Sequence, residues 1–276
     1  MKISASYWGR DVNEMYKFIE KCSKEFSVVR LSYWIFGLNH PSVISKLNSY
    51  RKKLGISYNV HMLWGNIDLS SNIKNIRLGS IAESKEAIDF LSSIGGGVLN
   101  FHPSLKPLFY KFFSSQEKAK LFGNEVESFK EIVSYAKDKG VVIVIENATS
   151  FPSNYPEFKR SCNFTFHKNI VDKIKYPNFG VNFDTGHYFQ HSHTESLPLP
   201  KVFSMVGKRI KYVHAHDNDG SYDQHLAVGK GKFPWPEFLD LLNSYGFNGT
   251  LELELSKLSD QIMSKNYLLN LRPEYF

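Results

Sequence analysis

The chain has 276 residues, 42% hydrophobic and 22% charged, the proportions of a soluble globular protein with a sizeable core. No uninterrupted apolar run approaches a membrane span, residues 141–145 being among the longest, and Cys22 and Cys162 are too few for a zinc ribbon or disulfide framework. The formal net charge of +7 favours phosphate-bearing partners, from a sugar phosphate to DNA, but lysines scattered without a block of five or six read as a solvated basic surface.

Residues 2–7 alternate loosely and read as a first strand. The first residues lack the long apolar segment of a signal peptide, so a cytoplasmic protein with no membrane partner is expected. Asp11 opens a helix with Val12, Met15, Tyr16, Ile19 and Cys22 at helical spacing. Residues 28–33 form a second strand, and Pro41 opens a helix with Val43, Ile44, Leu47, Tyr50 and Leu54 on one face. A third strand, 56–63, carries His61 near its end; a helix over about 80–94 stops at Gly95-Gly96-Gly97, and strand four is 98–102. A long helix over 115–139 ends at Gly140. Residues 141–146 are a nearly continuous apolar run closed by a carboxylate, the pattern of a parallel strand covered on both faces.

A polar loop and a helix near 168–174 lead to strand six, 179–184. A helix over about 201–207 leads to strand seven, 210–214; another runs from Pro234 through Leu242, then strand eight, 250–255, and a final helix. Eight strands alternating with helices, with no linker or composition break, predict an α/β chain that is a single (β/α)8 TIM barrel domain over 1–276.

Polar residues collect at or just after the carboxyl ends of these strands: His61, His102, Glu146, Asp184 with His187, His214 and Glu254. A closed barrel brings those ends together on the face where barrel active sites sit. Imidazole and carboxylate are the ligands that divalent ions prefer, so a shared metal site is expected. Glu146 closes an apolar run, and burying its charge demands a counter-ion. Asp184-Thr185-Gly186-His187 spaces two ligand types three apart, with Gly186 expected to allow a tight turn. Glu252 and Glu254 share a face of strand eight; Glu254, nearer the mouth, is expected to ligate, and Glu252 to pair deeper with a cation such as Arg30. His214 is expected to ligate, with His216 and Asp217 supporting it and His216 also lining the substrate pocket.

Several pieces resemble the xylose-isomerase-like barrel superfamily, which includes sugar and sugar-phosphate isomerases and epimerases and endonuclease IV. They are His61 with Asn66-Ile67-Asp68-Leu69-Ser70, Asn100-Phe101-His102-Pro103, Ile145-Glu146-Asn147, Phe183-Asp184-Thr185-Gly186-His187, His214-Ala215-His216-Asp217-Asn218, Asp223-Gln224-His225, Gly229-Lys230-Gly231 and Glu252-Leu253-Glu254-Leu255. Resemblance to the ketose epimerases implies one divalent ion held by Glu146, Asp184, His214 and Glu254. The ion polarises a substrate carbonyl while Glu146 and Glu254 move a proton beside it. His187, with His61 and His102, would contact substrate oxygens, and lysines or backbone amides would hold a phosphate. Resemblance to endonuclease IV implies up to three zinc ions, with His61, His102, His187, Asp223 and His225 as additional ligands and an abasic DNA site as substrate.

Three departures separate the chain from those endonucleases. Glu146-Asn147-Ala148-Thr149-Ser150 lacks a glycine-glutamine-glycine continuation, His61-Met62-Leu63-Trp64 lacks the proline and tyrosine, and the path from His214 to Asp223 is short. The expected function is therefore a metal-dependent (Zn, Mn, Mg or Co) isomerase or epimerase of a sugar or sugar phosphate. The alternatives are the endonuclease and a dehydratase of a sugar or inositol derivative on the same site.

Overall fold

The computed structural model describes residues 1–63, 65–104, 112–148, 164–195 and 197–276, without the side chains of 191 and 193–195. Eight parallel strands hydrogen-bond in chain order and close on themselves: β1 (Lys2–Ser6), β2 (Val28–Ser32), β3 (Ser57–His61), β4 (Gly97–Phe101), β5 (Val141–Glu146), β6 (Phe179–Asp184), β7 (Ile210–Ala215) and β8 (Thr250–Leu253). The helices are α1 (Val12–Cys22), α2 (Pro41–Leu54), α3 (Lys74–Ser93), α4 (Ser115–Ala136), α5 (Phe164–Lys173), α6 (Thr185–Glu195), α7 (Leu199–Val206), α8 (Trp235–Ser244) and α9 (Leu258–Leu271). The expected (β/α)8 TIM barrel is what forms. No described helix is long and apolar enough to cross a membrane.

Two elements differ from expectation. Helix α3 starts six residues before Ser80, because Ile76 and Leu78 on its first turns are exposed and leave no apolar stripe to read. Helix α6 was not anticipated at all: the segment expected to be a tight turn at Gly186 is its first turn, and α6 is mostly polar. Gly186 is required for another reason. A Cβ there would stand 2.0 Å from Cε1 of His216. Cys162, Trp64 and residues 149 and 150 of the Glu146 motif lie outside the described residues.

Side chains alternating outward from the strands, among them Leu31, Val60, Phe101, Ile143, Phe183, Val213 and Leu251, pack under the helices in one apolar cluster. Each such burial contributes about 1.5–3 kcal/mol, which offsets an interior that is polar. Inside, Asn59 of β3 donates across the barrel to the Tyr212 hydroxyl of β7 at 3.0 Å, and Tyr212 donates to Glu252 at 2.8 Å. The register sets Asp184 beside His214, His214 beside Glu252 and Glu146 beside Asn182, so the polar strand ends share one rim.

Candidate metal centre

Glu146 ends β5, Asp184 ends β6, His214 lies on β7 and Glu254 follows β8; one ligand atom from each falls in a group spanning no more than 4.8 Å, and all four residues are buried. His214 Nδ1 stands 3.2 Å from Glu146 Oε2, 3.2 Å from Glu254 Oε2 and 3.6 Å from Asp184 Oδ2. Ligand atoms held about 2.0–2.2 Å from one ion lie about 3–4 Å from each other, so the spacing fits a single divalent cation. Glu146 Oε1, Glu254 Oε2 and His214 Nδ1 make no hydrogen bond despite this crowding. Leaving such atoms buried and unbonded costs about 1–3 kcal/mol each, more when charged, and a cation at their point of convergence offsets it. Oxygen and imidazole donors suit Zn²⁺, Mn²⁺, Co²⁺ or Mg²⁺.

In the protein alone, histidine charge compensates the carboxylates. Burial works against ionising Glu146, yet His102 and His214 hold its carboxyl well below the usual range, His214 carrying the charge because burial pushes His102 down to about 4. Burial likewise opposes charging His214, but Glu146, Glu254 and Glu252 raise it well above its ordinary value.

Histidines flank this centre on two sides, and backbone carbonyls set their tautomers. His61 Nδ1 donates to the Met62 carbonyl at 2.8 Å, which turns Nε2 toward Glu146 (3.7 Å) and toward His102 Nε2 (3.2 Å). His187 Nδ1 donates to the Asn147 carbonyl at 2.8 Å and His225 Nδ1 to that of Glu254 at 2.9 Å. Their Nε2 atoms then meet Asp223 Oδ2 from two directions, at 3.3 and 3.1 Å. Two ring nitrogens and a carboxylate oxygen with their lone pairs converging need protons or a cation between them. The triads His61–Glu146–His214, Asp184–His187–His216 and His216–Asp223–His225 each offer three ligand atoms within the same span.

All the sequence-expected site residues except Asp217 therefore gather at one rim. His216 takes its expected supporting role through Asp184, directing Nε2 at both its oxygens (3.1 and 3.2 Å), and it stacks on His225 with ring centroids 4.0 Å apart. Asp217 does not face the centre. Its carboxylate accepts from Asn218, Gly229 and Phe233 backbone N–H groups and from Trp235 Nε1, fastening the loop before α8.

Arg30 pairs with Glu252 as expected, Nε to Oε1 at 2.7 Å. Sequence reasoning missed that Arg30 also reaches Glu254, that the Asn100 and Asn182 amides donate to Glu146 Oε2, and that Trp8 and Trp34 pack against His225 and His61. The only sequence signal for the tryptophans was their position just past the ends of β1 and β2.

The model of the xylose isomerase-like TIM barrel matches residues 25–267. The chain belongs to this family. An uncharacterized protein of Methanocaldococcus jannaschii is 28% identical to this xylose isomerase-like barrel over 232 residues, 83% of this chain and 74% of the relative. Fructoselysine 3-epimerase of Escherichia coli O157:H7 is 24% identical over 135 residues, 49% of this chain and 46% of that enzyme. The crystal structure of a D-tagatose 3-epimerase-like protein superposes over all of this chain and 98% of its own, with a TM-score of 0.80 and 25% identity.

Proposed function

We propose that this barrel is a divalent-metal-dependent isomerase or epimerase of a sugar or sugar phosphate. The convergence of Glu146, Asp184, His214 and Glu254 around one point carries the reading. Its similarity to fructoselysine 3-epimerase and to a D-tagatose 3-epimerase-like structure supports it. A divalent ion held by these four residues would supply Lewis-acid polarisation of a substrate carbonyl and its neighbouring hydroxyl.

The chain's own groups supply the proton transfer. Glu146 and Glu254 come from different strands and each keeps one oxygen without a hydrogen bond, Oε1 and Oε2 respectively. One carboxylate takes the proton from the carbon beside the carbonyl; the other, entering the step as the carboxylic acid, returns one to the opposite face, and exchange with water resets the pair. The Asn100 and Asn182 amides hold Glu146 Oε2, and Arg30 holds Glu254 Oε1, so both bases are oriented before substrate arrives. His61, His102 and His187 would contact substrate oxygens, whereas His216, fully buried, acts through its contact with Asp184. The test is a panel of ketohexoses and their phosphates followed by NMR: a new epimer or isomer, dependent on added Mn²⁺ or Co²⁺ and abolished by chelator, is the expected result.

One observation favours a second reading. The outer triad His216–Asp223–His225 together with His187 offers places for further ions, and neighbouring divalent ions suit phosphodiester hydrolysis. Metal-dependent incision of an abasic-site duplex, lost in Asp223→Asn, would replace the epimerase assignment.

A further inference from the structure

The net positive charge of the chain has a second address, at the end of the barrel opposite the metal centre. A concavity of about 540 Å³ opens beside the amino ends of β6 and β7, lined by Asp172, Lys175, Tyr176, Pro177, Phe179, Lys208, Arg209 and Lys211. Four cations face one carboxylate, and that carboxylate, Asp172, is already paired with Lys168. Arg209 donates from Nη2 to the Ile174 carbonyl at 3.0 Å, which fixes the guanidinium against the end of α5; no other donor of it finds a hydrogen bond among the described residues.

Lys211 is the most telling member. It is partly buried, yet its ammonium has no hydrogen bond or ion pair among the described residues. Its stem lies across Gly180, where a Cβ would stand 2.7 Å from Cγ and Cδ and 2.5 Å from the Arg209 carbonyl oxygen. A side chain on β6 at that position would push the lysine out of the concavity. Burial, with Arg209 beside it, lowers the Lys211 ammonium below its ordinary value, and burial lowers Arg209 too. A folded chain that partly desolvates two adjacent like charges gives up stability, which an anion bridging them restores.

We propose that this basin binds a phosphate-type polyanion, either inorganic pyrophosphate or the phosphate chain of a nucleotide, at a site separate from the metal centre. The basin is several times larger than a single phosphate needs and lies within the range of small-molecule sites. Lys208, Arg209 and Lys211 approach from the β7 side and Lys175 from the β6 side. Tyr176 and Pro177 offer an apolar edge that a nucleotide would use and pyrophosphate would not.

Calorimetric titration of the full-length, metal-loaded protein with pyrophosphate, and separately with ATP, at about 150 mM salt tests the site. The expected result is saturable one-to-one binding that weakens at least about tenfold in Lys211→Gln. Because Lys211 packs on β6, the double variant Lys175→Gln/Lys208→Gln, confined to exposed side chains, serves as the second probe and should weaken binding several-fold. Lys17→Gln, exposed on α1, should leave it unchanged. Tighter binding of ATP than of pyrophosphate assigns the nucleotide as the source; equal or weaker binding assigns the inorganic anion. Unsaturable binding, or affinity unchanged in both the Lys211 and the Lys175/Lys208 variants, overturns the proposal.

Discussion

The guanidinium of Arg30 donates to Glu254 Oε1 at 3.3 Å while Glu254 Oε2 faces His214 Nδ1 at 3.2 Å. One oxygen of this carboxylate is thereby held and the other presented to the centre. The same guanidinium bonds Glu252, the Tyr7 carbonyl and Ser32 Oγ, and Trp8 covers it at 5.1 Å. Arg30 is a positioning residue: it touches the proposed base, and it is sealed from the pocket by an aromatic ring.

Arg30→Met removes the cation from a fully buried pair and leaves Glu252 Oε1 without its partner, so a loss of about 3–5 kcal/mol in unfolding free energy is expected. Arg30→Lys keeps the charge but loses the fork that reaches two carboxylates. It should fold, yet bind Mn²⁺ about 10–100-fold more weakly. Urea unfolding and calorimetric Mn²⁺ titration measure the two effects separately.

Gly186→Ala places a methyl where the His216 ring lies, 2.0 Å from Cε1. Either α6 or the ring must move, and the His216 contact with Asp184 is lost. We expect a destabilisation of about 1–3 kcal/mol, measured by denaturant unfolding. Bound zinc, counted by elemental analysis, should fall only if the outer triad holds an ion.

Asp217 separates a fastening carboxylate from a ligand. Asp217→Asn exchanges charge-assisted bonds for weaker ones and presents an amide to four donors, so about 1.5–3 kcal/mol of stability should be lost. Metal stoichiometry in the folded variant should stay that of the parent, because the side chain points into the loop before α8.

Metal-stripped protein should lose stability on the alkaline side. Burial opposes charging His225, but Asp223 and Glu254 raise it from 6.5 to about 9. A group whose value is raised by folding contributes stability that is complete below the unfolded value and is lost as pH climbs through the folded one. The window is therefore about pH 6.5 to 9, and His187 and His214, also raised, act in the same direction. Thermal melts of chelator-treated protein across this window should fall with pH, and less steeply in Asp223→Asn.

The barrel was legible because strand and helix patterns alternate eight times without a linker, and because strand ends carry ligand-type side chains: Glu146 after the apolar run of β5, Asp184 after β6 and His214 on β7. Helix α6 was not, because Thr185, Gly186, His187 and the polar residues after Phe189 give no apolar stripe. The Arg30–Glu252 pair followed from side-chain alternation and the need to balance a buried acid. That Arg30 also holds Glu254 depends on β2 and β8 both flanking β1 in the closed barrel, which no local spacing records. That His216 supports the centre through Asp184 rather than through His214 depends on which neighbouring element its ring reaches, which alternation alone does not give. Asn100 and Asn182 bear no charge to draw notice, and their role emerges only when β4, β5 and β6 are aligned.

The most direct measurement is proton exchange at the substrate. Metal-loaded protein is incubated with a ketohexose or its phosphate in deuterated water, and deuterium at the carbon beside the carbonyl is followed by NMR and mass spectrometry. Metal-dependent incorporation in the parent, lost by about a hundredfold or more in Glu146→Gln and Glu254→Gln, is the result predicted. No incorporation from any ketose, with metal-dependent incision of an abasic duplex by the same preparation, would contradict it.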